Sequence, residues 1–177
     1  MAGLVVLLSG SVAAGKSTLA EELRRHFDFH VVKTWQLLLS VRPDANQDRD
    51  TLQRLGEELD RKTEGRWVVE ELDKVIRDLD AEMCVVVDAV RISKQIDHIR
   101  RGFGRRVKHI HLHAPLTKLT ERYNSRSGGS IEEFKSYDEV RQNRTELEVP
   151  TLRTVADVVV DTTRNTKDDV LVRAACH

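Results

Sequence analysis

Eight consecutive residues, Gly10-Ser11-Val12-Ala13-Ala14-Gly15-Lys16-Ser17, carry the densest chemical signal in the chain. Their spacing, G-x-x-x-x-G-K-[ST], is that of the Walker A loop, whose backbone cradles phosphate. Gly10 and Gly15 can turn successive N–H groups inward, and the helix that follows adds its own N-terminal donors. Lys16 brings a point charge to the outer phosphates and Ser17 offers a hydroxyl to Mg²⁺. Ala13, Ala14 and Thr18 complete the candidate nucleotide cradle. Asp88 is a second candidate, because it closes the apolar run Val85-Val86-Val87. A carboxylate there holds Mg²⁺ directly or through water, or else simply caps the next turn. Arg91 follows, and its rigid guanidinium fork suits a phosphate, the plain alternative being a surface arginine on a helix.

These groups need elements to hold them. Residues 4–8 form an apolar run fit for a buried parallel strand, and Leu19 and Leu23 stand four apart on a helix, so the loop sits at a strand–loop–helix junction. Further strands are predicted at 29–33, 83–88, 107–113 and 158–160. A helix is expected from Thr34 through Ser40 and a polar loop from Asp44 to Asp50. Apolar residues at helical spacing then run from Leu52 to Leu79, with Gly65 separating two helices. Residues 92–100, 116–123 and 168–175 read as helices. Ser130, followed by Glu133, is a capping box for a helix running towards Ala156, with Pro150 breaking or kinking it. Strands alternating with helices predict an α/β fold: a three-layer, roughly five-stranded parallel sheet with helices on both faces.

Composition narrows the function. The 177 residues suit one domain with a real core. Lys and Arg number 29, as do Asp and Glu, so the formal charge is zero. A general nucleic-acid or membrane-surface binder would carry a basic excess, and neither partner is expected. The two cysteines, Cys84 and Cys176, make no disulfide framework, which fits a reducing cytosol and a cytoplasmic location. The N-terminal apolar run is too short for a signal peptide and lacks a basic flank, and no segment is long enough to span a membrane. Nothing in the sequence bears on oligomeric state.

The segment Asp88-Ala89-Val90-Arg91-Ile92-Ser93-Lys94-Gln95 resembles the Asp-Gly-Phe-Pro-Arg-x-x-x-Gln stretch of the nucleoside monophosphate kinases, adenylate kinase in particular. Asp, Arg and Gln are kept, with one residue fewer between Asp and Arg. The resemblance implies that Arg91 grips an acceptor phosphate and that Gln95 reads a base. Lys33-Thr34-Trp35-Gln36-Leu37-Leu38 is similar to the family's Ser-Thr-Gly-Asp-x-Leu only at Thr34 and in its apolar pattern. Thr34 either contacts the acceptor or caps its helix, and Trp35 either stacks on a base or fills a groove. Arg122 and Arg126, four apart before Gly128-Gly129, with Arg141 and Arg144 beyond, look like the arginines of a closing lid. The lid, about residues 122–144, is short, as in dephospho-CoA and deoxynucleotide kinases. Residues 152–162 resemble the last strand of dephospho-CoA kinase, which would put Arg164 and Asn165 near the donor adenine. The loop departs from adenylate kinase, which has glycine at the places of Ala13 and Ser17; Gly-Lys-Ser-Thr is instead the form of many small-molecule kinases.

Together these readings predict a kinase moving the γ-phosphoryl group of ATP, with Mg²⁺, to a nucleoside or deoxynucleoside monophosphate. Lys16 and the loop amides would hold the donor, Ser17 and Asp88 the metal, and Arg91, Gln95, Thr34 and Arg141 the acceptor within a helical region of about residues 34–80. Arg122 and Arg126 would close over the transferring group. The alternatives are a hydroxyl acceptor, for which Asp88 would be the base, and a nucleotide-binding regulatory domain. His109, His111 and His113 share a strand face and are a weaker candidate for a metal. Residues 101–106 form a basic turn, read as a solvated loop.

Overall fold

A computed structural model describes residues 3–125 and 136–176. The apolar runs form five strands: β1 (Val5–Ser9), β2 (His30–Lys33), β3 (Val85–Asp88), β4 (Val107–His113) and β5 (Val158–Asp161). They build a sheet in the order β2-β3-β1-β4-β5, and every pairing is parallel. Parallel neighbours need crossovers, which the helices supply. These are α1 (Lys16–Phe27), α2 (Thr34–Val41), α3 (Arg49–Thr63), α4 (Arg66–Arg77), α5 (Ser93–Phe103) and α6 (Leu116–Asn124). After them come α7 (Tyr137–Arg141), α8 (Arg144–Glu148) and α9 (Lys167–Ala175). The expected three-layer α/β architecture is the observed one.

Alternation along β1 divides the core in two. Val6 and Leu8 pack with Leu19 and Leu23 of α1 and Val170 and Leu171 of α9. Val5 and Leu7 face the other way, onto Trp67 and Leu72 of α4 and Ile96 and Ile99 of α5. A strand covered on both faces has no polar side to show, so β1 reads as an unbroken apolar run.

Turn chemistry sets the helix ends. Asp48 accepts the Thr51 N–H at 2.8 Å and starts α3 at Arg49, so the loop expected through Asp50 is shorter than predicted. Glu64 and Gly65 both take positive φ between α3 and α4, as the break at Gly65 requires. A Cβ on Gly65 would also lie 3.0 Å from Gln95 Cγ, so the residue allows α5 to approach closely.

The long helix expected towards Ala156 is replaced by shorter pieces, and its capping box at Ser130 lies outside the described residues. Ser136 Oγ accepts the Glu139 N–H at 3.3 Å to open α7, and Asn143 Oδ1 accepts the Thr145 N–H at 2.9 Å to open α8. Each cap offers the backbone an alternative to continuing the previous helix. A tight 3-10 helix with Pro150 in its first turn then spans Val149–Val155. The ring of Tyr137 packs against Tyr123 of α6 with centroids 5.5 Å apart, which ties α7 to the body of the domain.

Candidate active site

The ends of β1, β2 and β3 converge at one edge of the sheet, where the chain crosses from the β3 side of β1 to the β4 side. Open α/β sheets bind ligands at this crevice. The loop after β1 owes its shape to three positive-φ residues, Gly10 (137°), Ala13 (67°) and Gly15 (101°). At Gly10 a side chain is impossible, since a Cβ would stand 2.3 Å from the Leu112 carbonyl oxygen. Ala13 holds the left-handed conformation that glycine adopts freely, at a cost of about 1 kcal/mol.

Lys16 folds back over this loop. Its Nζ donates to the carbonyls of Gly10 at 2.6 Å and Ser11 at 2.9 Å. Burial pulls its ammonium down to about 8; Arg91 adds to the shift, while Glu146 and Asp88 oppose it. A cation held with so little solvent favours any anion brought beside it. Ser17 Oγ donates to Asp88 Oδ2 at 2.7 Å. Register explains this pair: Asp88 lies beside Leu8, at the last rung of the β1–β3 ladder before the loop. Hydroxyl and carboxylate oxygens side by side are hard donors, and they fit Mg²⁺.

Two cavities flank the loop. On one side, Lys16, Ser17, Asp88 and Arg91 open onto a space of about 320 Å³ bounded by α2, α3 and the start of α4. Both tryptophans of the chain, Trp35 and Trp67, line it. On the other side, Ala13, Ala14, Gly15 and Thr18 share a space of about 280 Å³ with Arg122, Asn165 and Lys167. If the loop holds a donor nucleotide, as the sequence predicts, the first cavity would face the acceptor and the second the donor base and ribose.

Several sequence candidates have different neighbours from those expected. Thr34 lines the acceptor cavity, but its Oγ1 donates to the Ala89 carbonyl at 2.6 Å and so ties the β2 end to the β3 end. Gln95 is buried with both amide ends used: Oε1 accepts the Arg91 N–H at 2.9 Å, and Nε2 donates to Asp60 Oδ1 at 2.8 Å. It lines the larger cavity with both ends of its amide engaged by protein groups. Trp67 Nε1 donates to the same Asp60 oxygen at 2.7 Å, and burial holds the Asp60 carboxyl above its ordinary range.

Arg122 lines the second cavity, where its guanidinium donates to Thr162 Oγ1 at 3.0 Å and to the Thr162 carbonyl. Asn165 lies beside it in the same cavity, but Arg164 is exposed and lines neither. Arg141 is also exposed, 3.7 Å from Asp138 on its own helix, and lines neither cavity. Arg126 lies outside the described residues.

Among the described residues no three His, Cys, Asp or Glu side chains cluster as a metal site. His109 and His111 instead bracket Ser9, with Nε2 of one at 2.7 Å and Nδ1 of the other at 2.8 Å from its hydroxyl.

The sequence reading missed Glu146. It sits on α8 with its side chain 6% exposed, its Oε2 accepting the Val12 N–H at 3.0 Å and its Oε1 2.7 Å from Arg91 Nη1. No local signal marks it, because the residues it meets lie far away in the chain. Lys33, Glu57 and Arg49 on the acceptor wall were missed for the same reason.

Comparison with known proteins agrees with this geometry. No curated protein sequence matches the chain. A gluconokinase from Sinorhizobium meliloti 1021 superposes with a TM-score of 0.62 at 17% identity, covering 98% of this chain and 90% of its own. Shikimate kinase from Acinetobacter baumannii, solved with shikimate, gives 0.60 at 15%, covering 98% and 91%. The tunicamycin resistance protein of Deinococcus radiodurans gives 0.63 at 16%, covering 98% and 94%. At these identities the likeness is one of fold, that of the P-loop kinases. The family described as "AAA domain" matches residues 6–146, most of the chain and all of the cradle, and the chain belongs to that family.

Proposed function

We propose that this protein is a phosphotransferase that moves the γ-phosphoryl group of ATP to a hydroxyl group of a small polar acceptor. One observation carries the choice of acceptor: Arg91, the residue expected to grip an acceptor phosphate, already holds the carboxylate of Glu146. The cation is neutralised, so a phosphorylated acceptor gains little there. The donor would lie along the loop, its base beside Arg122 and Asn165, its outer phosphates under Lys16. Ser17 and Asp88 would hold Mg²⁺, which neutralises charge on the transferring oxygens. The acceptor hydroxyl, seated in the cavity between α2 and α3, would attack the γ-phosphorus in line. Its O–P bond forms as the bond to the β-phosphate oxygen breaks. Asp88, reaching the metal through a water, would take the hydroxyl proton on its free carboxylate oxygen. Most of the rate would come from positioning and charge, since phosphoryl transfer asks little of a base.

A second reading keeps a nucleoside monophosphate as acceptor. Lys33, Arg49 and Arg91 all line the acceptor cavity with Trp35, a set that suits a phosphate and a base. One assay separates the two. Purified protein with ATP and Mg²⁺ is offered gluconate, shikimate, nucleosides and dephospho-CoA, and in parallel every ribo- and deoxynucleoside monophosphate. Transfer to a hydroxyl compound supports the proposal. Transfer to a monophosphate alone replaces it with the second reading.

A further inference from the structure

Glu146 is one of three buried glutamates among the described residues. Its carboxylate is nearly excluded from water, yet it is spent on two groups that phosphate chemistry would otherwise use: a backbone N–H of the loop and the guanidinium of Arg91. A carboxylate accepting from a backbone amide on one oxygen and a guanidinium N–H on the other has the partners of a phosphoryl oxygen pair. It bridges Val12 of the loop and Arg91, both of which line the larger cavity.

We infer that Glu146 sets acceptor specificity: as an anion built into the fold, it closes the place beside Arg91 to a phosphate group and reserves the cavity for acceptors that present a hydroxyl there. This deepens the phosphotransfer reading of the same site and rests on it. The physics is like-charge repulsion with little solvent to screen it. A dianionic phosphate entering beside a buried carboxylate is repelled, and displacing the carboxylate breaks both of its bonds at once. Attraction to Arg91 does not compensate, because Glu146 has already used that charge. Gln at 146 keeps the side-chain shape and an oxygen for the Val12 N–H, but removes the negative charge.

The test uses inorganic phosphate as the probe, in equilibrium dialysis with radiolabel, on the full-length protein with and without saturating ADP and Mg²⁺. Wild type, Glu146→Gln and the double variant Glu146→Gln/Arg91→Ala are compared, with Glu146→Ala taking the place of the Gln variant if that one fails to fold. Glu146→Gln is expected to bind phosphate at least about tenfold more tightly than wild type, and Arg91→Ala to remove the gain. Equal affinity in wild type and the Glu146 variant, or a gain that survives loss of Arg91, overturns the inference. Failure of ADP to bind at all overturns the phosphotransfer reading instead, and the titration without ADP still decides the role of Glu146.

Discussion

Acidification should unfold this protein from beneath its phosphate loop. Ser9 ends β1 and leads directly into Gly10, and its hydroxyl is held by two buried histidines. Burial lowers both to about 4 from an ordinary 6.5; at His111 the neighbouring His109, His113 and Lys16 lower it further. The sign follows from linkage. Both rings are neutral in the folded chain, but in the unfolded chain they take up a proton once pH falls below 6.5. Their contribution is intact above 6.5 and is lost as pH falls from 6.5 towards 4. At pH 5 each histidine then costs about 2 kcal/mol and the pair at most about 4 kcal/mol, since part of the His111 shift is the charge of His109, against a total stability of about 5–15 kcal/mol for a typical domain. Urea unfolding at pH 7.5 and pH 5, followed by the fluorescence of Trp35 and Trp67, measures the loss. The control is the double variant His109→Gln/His111→Asn. Gln places an amide near the Nε2 position and Asn near the Nδ1 position, so both bonds to Ser9 can persist without a titrating ring. Most of the loss should vanish in that variant. A wild type equally stable at both pH values, or a variant that keeps the whole loss, refutes the argument.

Three further variants have expected outcomes. Lys16→Met should cut phosphoryl transfer at least about 100-fold in a coupled ADP assay. The same variant should unfold at the same temperature as wild type or higher, because the folded state disfavours the ammonium it removes. Asp88→Asn should lower turnover and raise the Mg²⁺ concentration needed for half-maximal rate, since its partner Ser17 loses the carboxylate beside it; an unchanged Mg²⁺ dependence would remove Asp88 from the metal site. Gly10→Ala should destabilise by more than about 3 kcal/mol in urea titration, because its Cβ would stand 2.3 Å from the Leu112 carbonyl oxygen and its φ is 137°.

What could be read from the sequence is what a few neighbouring residues decide among themselves. The loop from Gly10 to Ser17 is legible because its glycines, lysine and serine act through their own backbone and the helix they begin. Asp88 is legible because a strand end next to that loop has only one edge of the sheet to occupy. The central strands β1 and β3 are legible because they are buried on both faces and show no polar alternation. The long C-terminal helix was misread because Ser136 and Asn143, which restart the chain, are polar residues whose capping role depends on where the previous turn stops.

The arginines show where local reading ends. Arg91, Arg122, Arg141 and Arg164 look alike in the sequence, each a cation near a turn. The fold gives them four different situations: paired with Glu146, anchored on Thr162 in the smaller cavity, paired with Asp138 on an exposed helix, and exposed outside both cavities. Val12 and Glu146 are 134 residues apart, and Arg91 and Glu146 are 55 apart. A charge in the sequence therefore says that an anion could bind, but only the fold says whether an anion is already there. At Arg91 one is, and on the proposed reading that carboxylate, rather than any residue of the loop, separates a phosphate acceptor from a hydroxyl acceptor.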